Sequence, residues 1–165
     1  IVAKGRFIRG EQVMENLTLT FRDGVLVDYH VEQGQDIFER IISIDDGARR
    51  IGELGIGTNP HLKRHVANGL LVEKIGGSFH VALGAAYTYT DYMGTPVRMD
   101  NGNVSDLHWD ITTMLYGKQG QIMLDGRVVM DNGFWVDSRY DVLNRGWAAL
   151  PADRLPEYWR KKRVA

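Results

Sequence analysis

Two stretches of the chain share one hydrophobic pattern. Leu17-Thr18-Leu19-Thr20-Phe21 alternates apolar and polar positions, Arg22-Asp23-Gly24 interrupts it, and Val25-Leu26-Val27 resumes. Much further along, Gln121-Ile122-Met123-Leu124 meets Asp125-Gly126 and then Val128-Val129-Met130. Alternation puts successive side chains on opposite faces of a strand, and Asp-Gly accepts the positive φ angles of a tight hairpin turn. Both stretches therefore predict β-hairpins, and strand-like sequence already runs from Val13 to Phe21. Between them the period changes. Ile37, Phe38, Ile41 and Ile42 recur at helical spacing within Asp36 to Ile44, which predicts a short amphipathic helix ended by Asp45-Asp46-Gly47.

The middle of the chain is punctuated by glycine. Gly52, Gly55 and Gly57 surround Glu53, Gly76 and Gly77 precede His80, and Gly84 follows it. Glycine beside short apolar runs marks bends and close backbone approaches rather than long helices. The expected fold is α+β, a β-rich single domain of short strands, hairpins and a few short helices. No repeat or linker divides it. The expected organisation is a metal-binding catalytic-type domain over 1–136 and a tail over 137–165 that packs on the domain or on a partner.

Composition narrows the classes. At 165 residues the chain is long enough for one domain with a core and short for two. A net charge of -1 predicts no general attraction to nucleic acid or anionic membrane. No apolar run approaches the roughly 20 residues that cross a bilayer, and no basic-then-apolar leader is visible. Zero cysteines exclude disulfides and thiolate ligands, so a metal site must be built from His, Asp and Glu. A cytoplasmic location is compatible with that. The chain opens at Ile1 rather than Met, which suggests a piece of a longer protein or a processed product.

Candidate ligands follow. In a strand, residues two apart share a face, so His108 and Asp110 in His108-Trp109-Asp110 project together, a natural half-site for a divalent ion. His80 alternates against Phe79, Val81 and Leu83 and shares its face with the small Ser78 and Ala82, which leaves room for an approaching group. Glu53 and Glu73 are carboxylates in apolar or glycine-rich runs, costly to bury unless paired or metal-bound. Arg49 or Arg50 would be a structural partner for Glu53, and Lys74 for Glu73. His30, His61 and His65 have no companion that singles them out. Gly55-Ile56-Gly57 lacks the spacing of a phosphate loop.

Three ordered motifs carry a resemblance: Gly52-Glu53-Leu54-Gly55-Ile56-Gly57-Thr58-Asn59-Pro60, then Glu73 through Gly84, then Ser105-Asp106-Leu107-His108-Trp109-Asp110. They resemble successive motifs of the aminopeptidase T-like metallo-aminopeptidases, which include the AmpS and PepS types, and the likeness runs from about Val13 to Trp135. The resemblance implies a two-metal exopeptidase with peptide substrates. Glu53, Glu73, His80, His108 and Asp110 would be ligands to two divalent ions (Zn, Co or Mn), and Glu53 would be shared between them. Tyr87 matches a hydrogen-bond donor of the active site, with Tyr89 as its fallback. Dimerisation is implied by the same resemblance. Family members are longer and carry a further ligand Glu upstream, which nothing in residues 1–12 matches.

Two other readings compete. Related ring-cleaving dihydroxypyridine dioxygenases use one Fe(II) with a His and a His-x-Asp pair, but their pattern resembles His where this chain has Glu53. Alternatively the chain is an inactive protein-interaction domain, with Trp147, Tyr158 and Trp159 beside Arg160-Lys161-Lys162-Arg163 as anchors.

Overall fold

The first alternating stretch becomes the middle of a three-stranded antiparallel sheet. In a computed structural model, which describes residues 1–62, 68–87, 91–96, 101–117 and 120–155, strands β1 (Val2–Arg9), β2 (Gln12–Arg22) and β3 (Val25–Gln33) lie side by side in that order. Asp23 and Gly24 take φ angles of 50° and 74° at the β2–β3 turn, as a tight hairpin requires. Leu17 pairs with Val31 and with Ala3, so three buried side chains line one face. β1 belongs to this sheet although its own sequence alternates weakly.

Helix α1 (Gln35–Ile41) follows, with Phe38 and Ile41 buried. It stops before the expected Ile44. Asp45 is extended and its side chain accepts from the Ala48 amide, so it caps a new 3-10 turn, Asp46–Arg49, instead of continuing the helix. Strands β4 (Ile51–Ile56), β5 (Ser78–Gly84) and β8 (His108–Met114) then form a second sheet in the order β4–β5–β8. Short elements complete the middle of the chain: helix α2 (Gly69–Val72) and the hairpin of β6 (Asp91–Tyr92) with β7 (Thr95–Pro96).

By its contacts the chain divides into two units, Ile1–Gly55 with Phe79–Thr113, and Ile56–Ser78 with Met114–Ala165. One apolar core fills the first. Met14, Leu17, Leu19, Phe38, Ile42, Leu83, Leu107 and Ile111 are its largest fully buried side chains. Phe38 meets Tyr29 at 5.1 Å and Trp109 at 6.0 Å between ring centroids. The second unit carries the other expected hairpin, β9 (Gln121–Leu124) with β10 (Arg127–Asp131), turning at Asp125 and Gly126 with φ of 50° and 76°. A further tight turn at Asn132 and Gly133 adds β11 (Phe134–Trp135). Helix α3 (Asp141–Arg145) is tied to it, because the Asn144 side chain accepts from Trp135 N and donates to Trp135 O, both at 2.8 Å.

The molecule is thus a β-rich α+β fold, as expected. Among the described residues no helix is long and apolar enough to cross a membrane. His65, Tyr89, Tyr158, Trp159 and Arg160 to Arg163 lie outside the described residues.

Candidate metal centre

Four of the expected site residues come together on the three strands of the second sheet. Glu53 sits on β4, His80 on β5, and His108 with Asp110 on β8. The glycines beside Glu53 explain how β4 comes so close. A Cβ on Gly52 would strike the carbonyls of Gly84 and Ala85, and a Cβ on Gly55 would strike the His80 imidazole. His80 therefore rests on bare backbone, and only glycine at position 55 leaves space for its ring.

The distances are those of a converging donor set. His80 Nε2 lies 3.2 Å from Glu53 Oε1, His108 Nε2 lies 3.4 Å from Glu53 Oε2, and His108 Nε2 lies 3.7 Å from Asp110 Oδ1. One ligand atom each from Glu53, His108 and Asp110 falls within 4.8 Å of the other two. His108 and Asp110 share a face of β8 as their spacing predicts, while Trp109 between them is buried in the core.

The proton positions decide what this cluster attracts. His108 Nδ1 lies 2.8 Å from the Ala85 carbonyl oxygen. A carbonyl only accepts, so Nδ1 carries a proton and Nε2 is the nitrogen that faces the two carboxylates. Two carboxylates facing one ring nitrogen repel each other unless a proton or a metal cation lies between them. A backbone carbonyl holding the far nitrogen of an imidazole is also the usual way a metal-binding histidine is oriented. Two buried atoms on the same strands, His80 Nδ1 and Thr112 Oγ1, have no hydrogen-bond partner among the described residues. The donors are nitrogen and oxygen only, and histidines with carboxylates suit Zn²⁺ and its first-row neighbours. The residues present fit a divalent ion.

Tyr87 is exposed beside this cluster, its ring centroid 5.4 Å from that of His108. Glu73 belongs to the second unit. There it is buried, forms an ion pair with Lys74, and offers its carbonyl to Ser78 Oγ at 3.4 Å. Glu53 meets histidines, whereas Arg49 and Arg50 are both exposed.

Sequence reasoning missed what holds the cluster from behind. Asn101, Asn103 and Ser105 alternate ahead of His108. Asn101 Nδ2 donates to Ile51 O at 2.8 Å, and Asn103 Nδ2 donates to Gly47 O at 2.9 Å and to Gly84 O at 2.5 Å. Ser105 Oγ donates to Asp45 at 2.7 Å. The period-two run of small polar side chains entering a His-x-Asp strand was the available signal. The Asp45 carboxyl is held below its ordinary range, chiefly by the Asp106 amide and then by the Ser105 hydroxyl.

Comparison with known proteins gives this geometry a context. The family model described as "Thermophilic metalloprotease (M29)" matches residues 1–135. Aminopeptidase 2 of Geobacillus stearothermophilus is 34% identical over 94 residues, 54% of this chain and 20% of that protein. Aminopeptidase T of Thermus aquaticus is 30% identical over 134 residues, 76% of this chain and 33% of that protein. The chain thus aligns with a third or less of the length of these relatives. A solved structure titled wild-type AmpT from Thermus thermophilus superposes with a TM-score of 0.60 at 22% identity, covering 83% of this chain and 36% of that one, a likeness of fold.

Proposed function

Because the chain belongs to the thermophilic metalloprotease (M29) family, we propose that it forms the later part of the catalytic region of a metal-dependent aminopeptidase. The observation that carries this reading is the meeting of Glu53, His108 and Asp110 within 4.8 Å, with His108 Nε2 turned inward by the hydrogen bond of Nδ1 to the Ala85 carbonyl.

In this reading Glu53, His80, His108 and Asp110 bind divalent metal, with Glu73 as a further ligand supported by its sequence motif. Two ions, Zn, Co or Mn, are proposed, and when bound they supply Lewis acidity that activates water and polarises the scissile carbonyl. The chain's own residues do the rest. Glu53 and Asp110 supply negative charge that offsets part of the charge of the cations. Tyr87, exposed beside His108, is the proposed hydrogen-bond donor to the oxygen that becomes negative as water adds. Overall, water adds across the first peptide bond and releases the N-terminal residue. A cytoplasmic, homodimeric enzyme is the accompanying proposal.

The test is metal content by mass spectrometry on protein purified without added metal, with leucine-anilide hydrolysis measured on the same sample. Near two divalent ions per chain and hydrolysis abolished by chelator support the reading. A single iron without hydrolysis, or no metal uptake at all, overturns it.

A further inference from the structure

We propose that Asp45 is a positioning residue for His108, acting through Ser105 and the paired backbones of Leu107 and Ala85. Its consequence for metal affinity rests on the metal-binding role proposed for His108.

The contacts form a continuous path within the first unit. Ser105 Oγ donates to the Asp45 carboxylate, 2.7 Å from Oδ1 and 3.0 Å from Oδ2. The Asp106 amide donates to Asp45 Oδ2 at 2.7 Å. Ser105 Oγ in turn accepts from the Leu107 amide at 3.0 Å. Leu107 O accepts from Ala85 N at 2.6 Å, and Ala85 O accepts from His108 Nδ1 at 2.8 Å. Asp45 thus holds Ser105 and Asp106 directly, Leu107 through Ser105 and, through Leu107, the residue whose carbonyl selects the imidazole tautomer. Leu107 is fully buried, and a Cβ on Gly84 would strike its carbonyl, so this path has little slack.

A purely structural explanation exists, because Asp45 also caps the 3-10 turn by accepting from Ala48 N at 2.8 Å. The two roles separate chemically. Serine is as good a cap as aspartate, but its single short hydroxyl does not span Ala48, Ser105 and Asp106 together. Asp45→Ser therefore keeps the cap and releases the loop.

The experiment reads the His108 tautomer in metal-free protein by long-range proton–nitrogen NMR, the signal being identified by its loss in His108→Gln. It then measures Zn²⁺ affinity by competition titration, with thermal midpoints recorded alongside. The wild-type ring is expected as the Nδ1–H form. In Asp45→Ser and Asp45→Ala the pattern should shift toward a mixture of tautomers, and affinity should fall by about tenfold or more, the usual cost of losing an outer partner of a ligand. Asp36→Ala removes a carboxylate whose ion pair is on the surface of α1 and should change neither. A tautomer shift in the Asp45 variants, with wild-type protein that takes up no Zn²⁺, would sink the metal reading and leave the positioning role standing. If Asp45→Ser keeps the Nδ1–H form and wild-type affinity, whatever its melting point, the positioning role is wrong.

Discussion

The His108 imidazole is held from behind by the carbonyl of Ala85, 2.8 Å from Nδ1, a residue 23 positions earlier in the chain. One hydrogen bond therefore decides which nitrogen faces Glu53 and Asp110. It leaves Nε2 facing the carboxylates of both residues, at 3.4 Å and 3.7 Å.

Glu53→Gln tests the centre of that cluster. Glu53 meets both histidines, one through each carboxylate oxygen. The amide removes the charge and keeps the shape, so metal affinity should fall by more than the about 10–100-fold that outer partners are worth. The fold should persist in circular dichroism, and a complete enzyme carrying the change should lose its peptidase activity. Unchanged metal affinity would remove Glu53 from the ligand set.

Gly55→Ala should act on His80 alone. The added methyl would meet the imidazole directly, and overpacking of this kind costs about 1–3 kcal/mol. Gly24→Ala is the useful contrast: it has open space around it but a φ of 74°, which costs a side chain about 1–2 kcal/mol of backbone strain. Urea denaturation should find both destabilised. Metal titration should find only Gly55→Ala impaired.

Removing metal should lower the melting temperature. An ion that binds only the folded chain stabilises it by mass action, about 2.7 kcal/mol at a free concentration one hundred times its Kd. Chelator added to loaded protein should erase that gain, and the gain should be absent from Glu53→Gln. A melting temperature indifferent to Zn²⁺, Co²⁺ and Mn²⁺ would contradict the assignment.

Acid should weaken the junction at Asp45. Its carboxyl is held below the ordinary value of 3.8, first by the Asp106 amide and next by the Ser105 hydroxyl. A depressed folded value means the carboxylate stabilises the protein fully above pH 3.8 and loses that contribution as pH falls through the lower folded value. Urea melts of wild type and Asp45→Asn should differ most at neutral pH and converge below pH 3.8. A gap that stays constant or widens in acid would refute this.

The parts of the fold governed by neighbouring residues were legible in the sequence. Asp23-Gly24 and Asp125-Gly126 announce their hairpins because few dipeptides accept two positive φ angles. The shared face of His108 and Asp110 follows from strand geometry alone. Strand β1 was not visible, because its partner and not its own pattern makes it a strand. The end of α1 was placed too late, since Asp45 serves the next turn and a loop 60 residues away rather than the helix before it. The glycines around Glu53 were read as close approaches, but only the fold reveals that the object approached at Gly55 is the ring of His80. Ala85 offers nothing to a reader of sequence: its contribution to the site is a backbone oxygen.

Glu53, His80 and the His108–Asp110 pair ride on three adjoining strands, β4, β5 and β8. Neighbouring strands stand about 4.8 Å apart whatever side chains they carry, so the spacing of the donors is inherited from the hydrogen-bond ladder. In the proposed centre the sheet therefore sets the spacing of the ligands, unlike a small zinc domain that folds around its ion. The speed of loading should accordingly be governed by how readily the ion sheds its hydration water, with no conformational search of the chain to wait for.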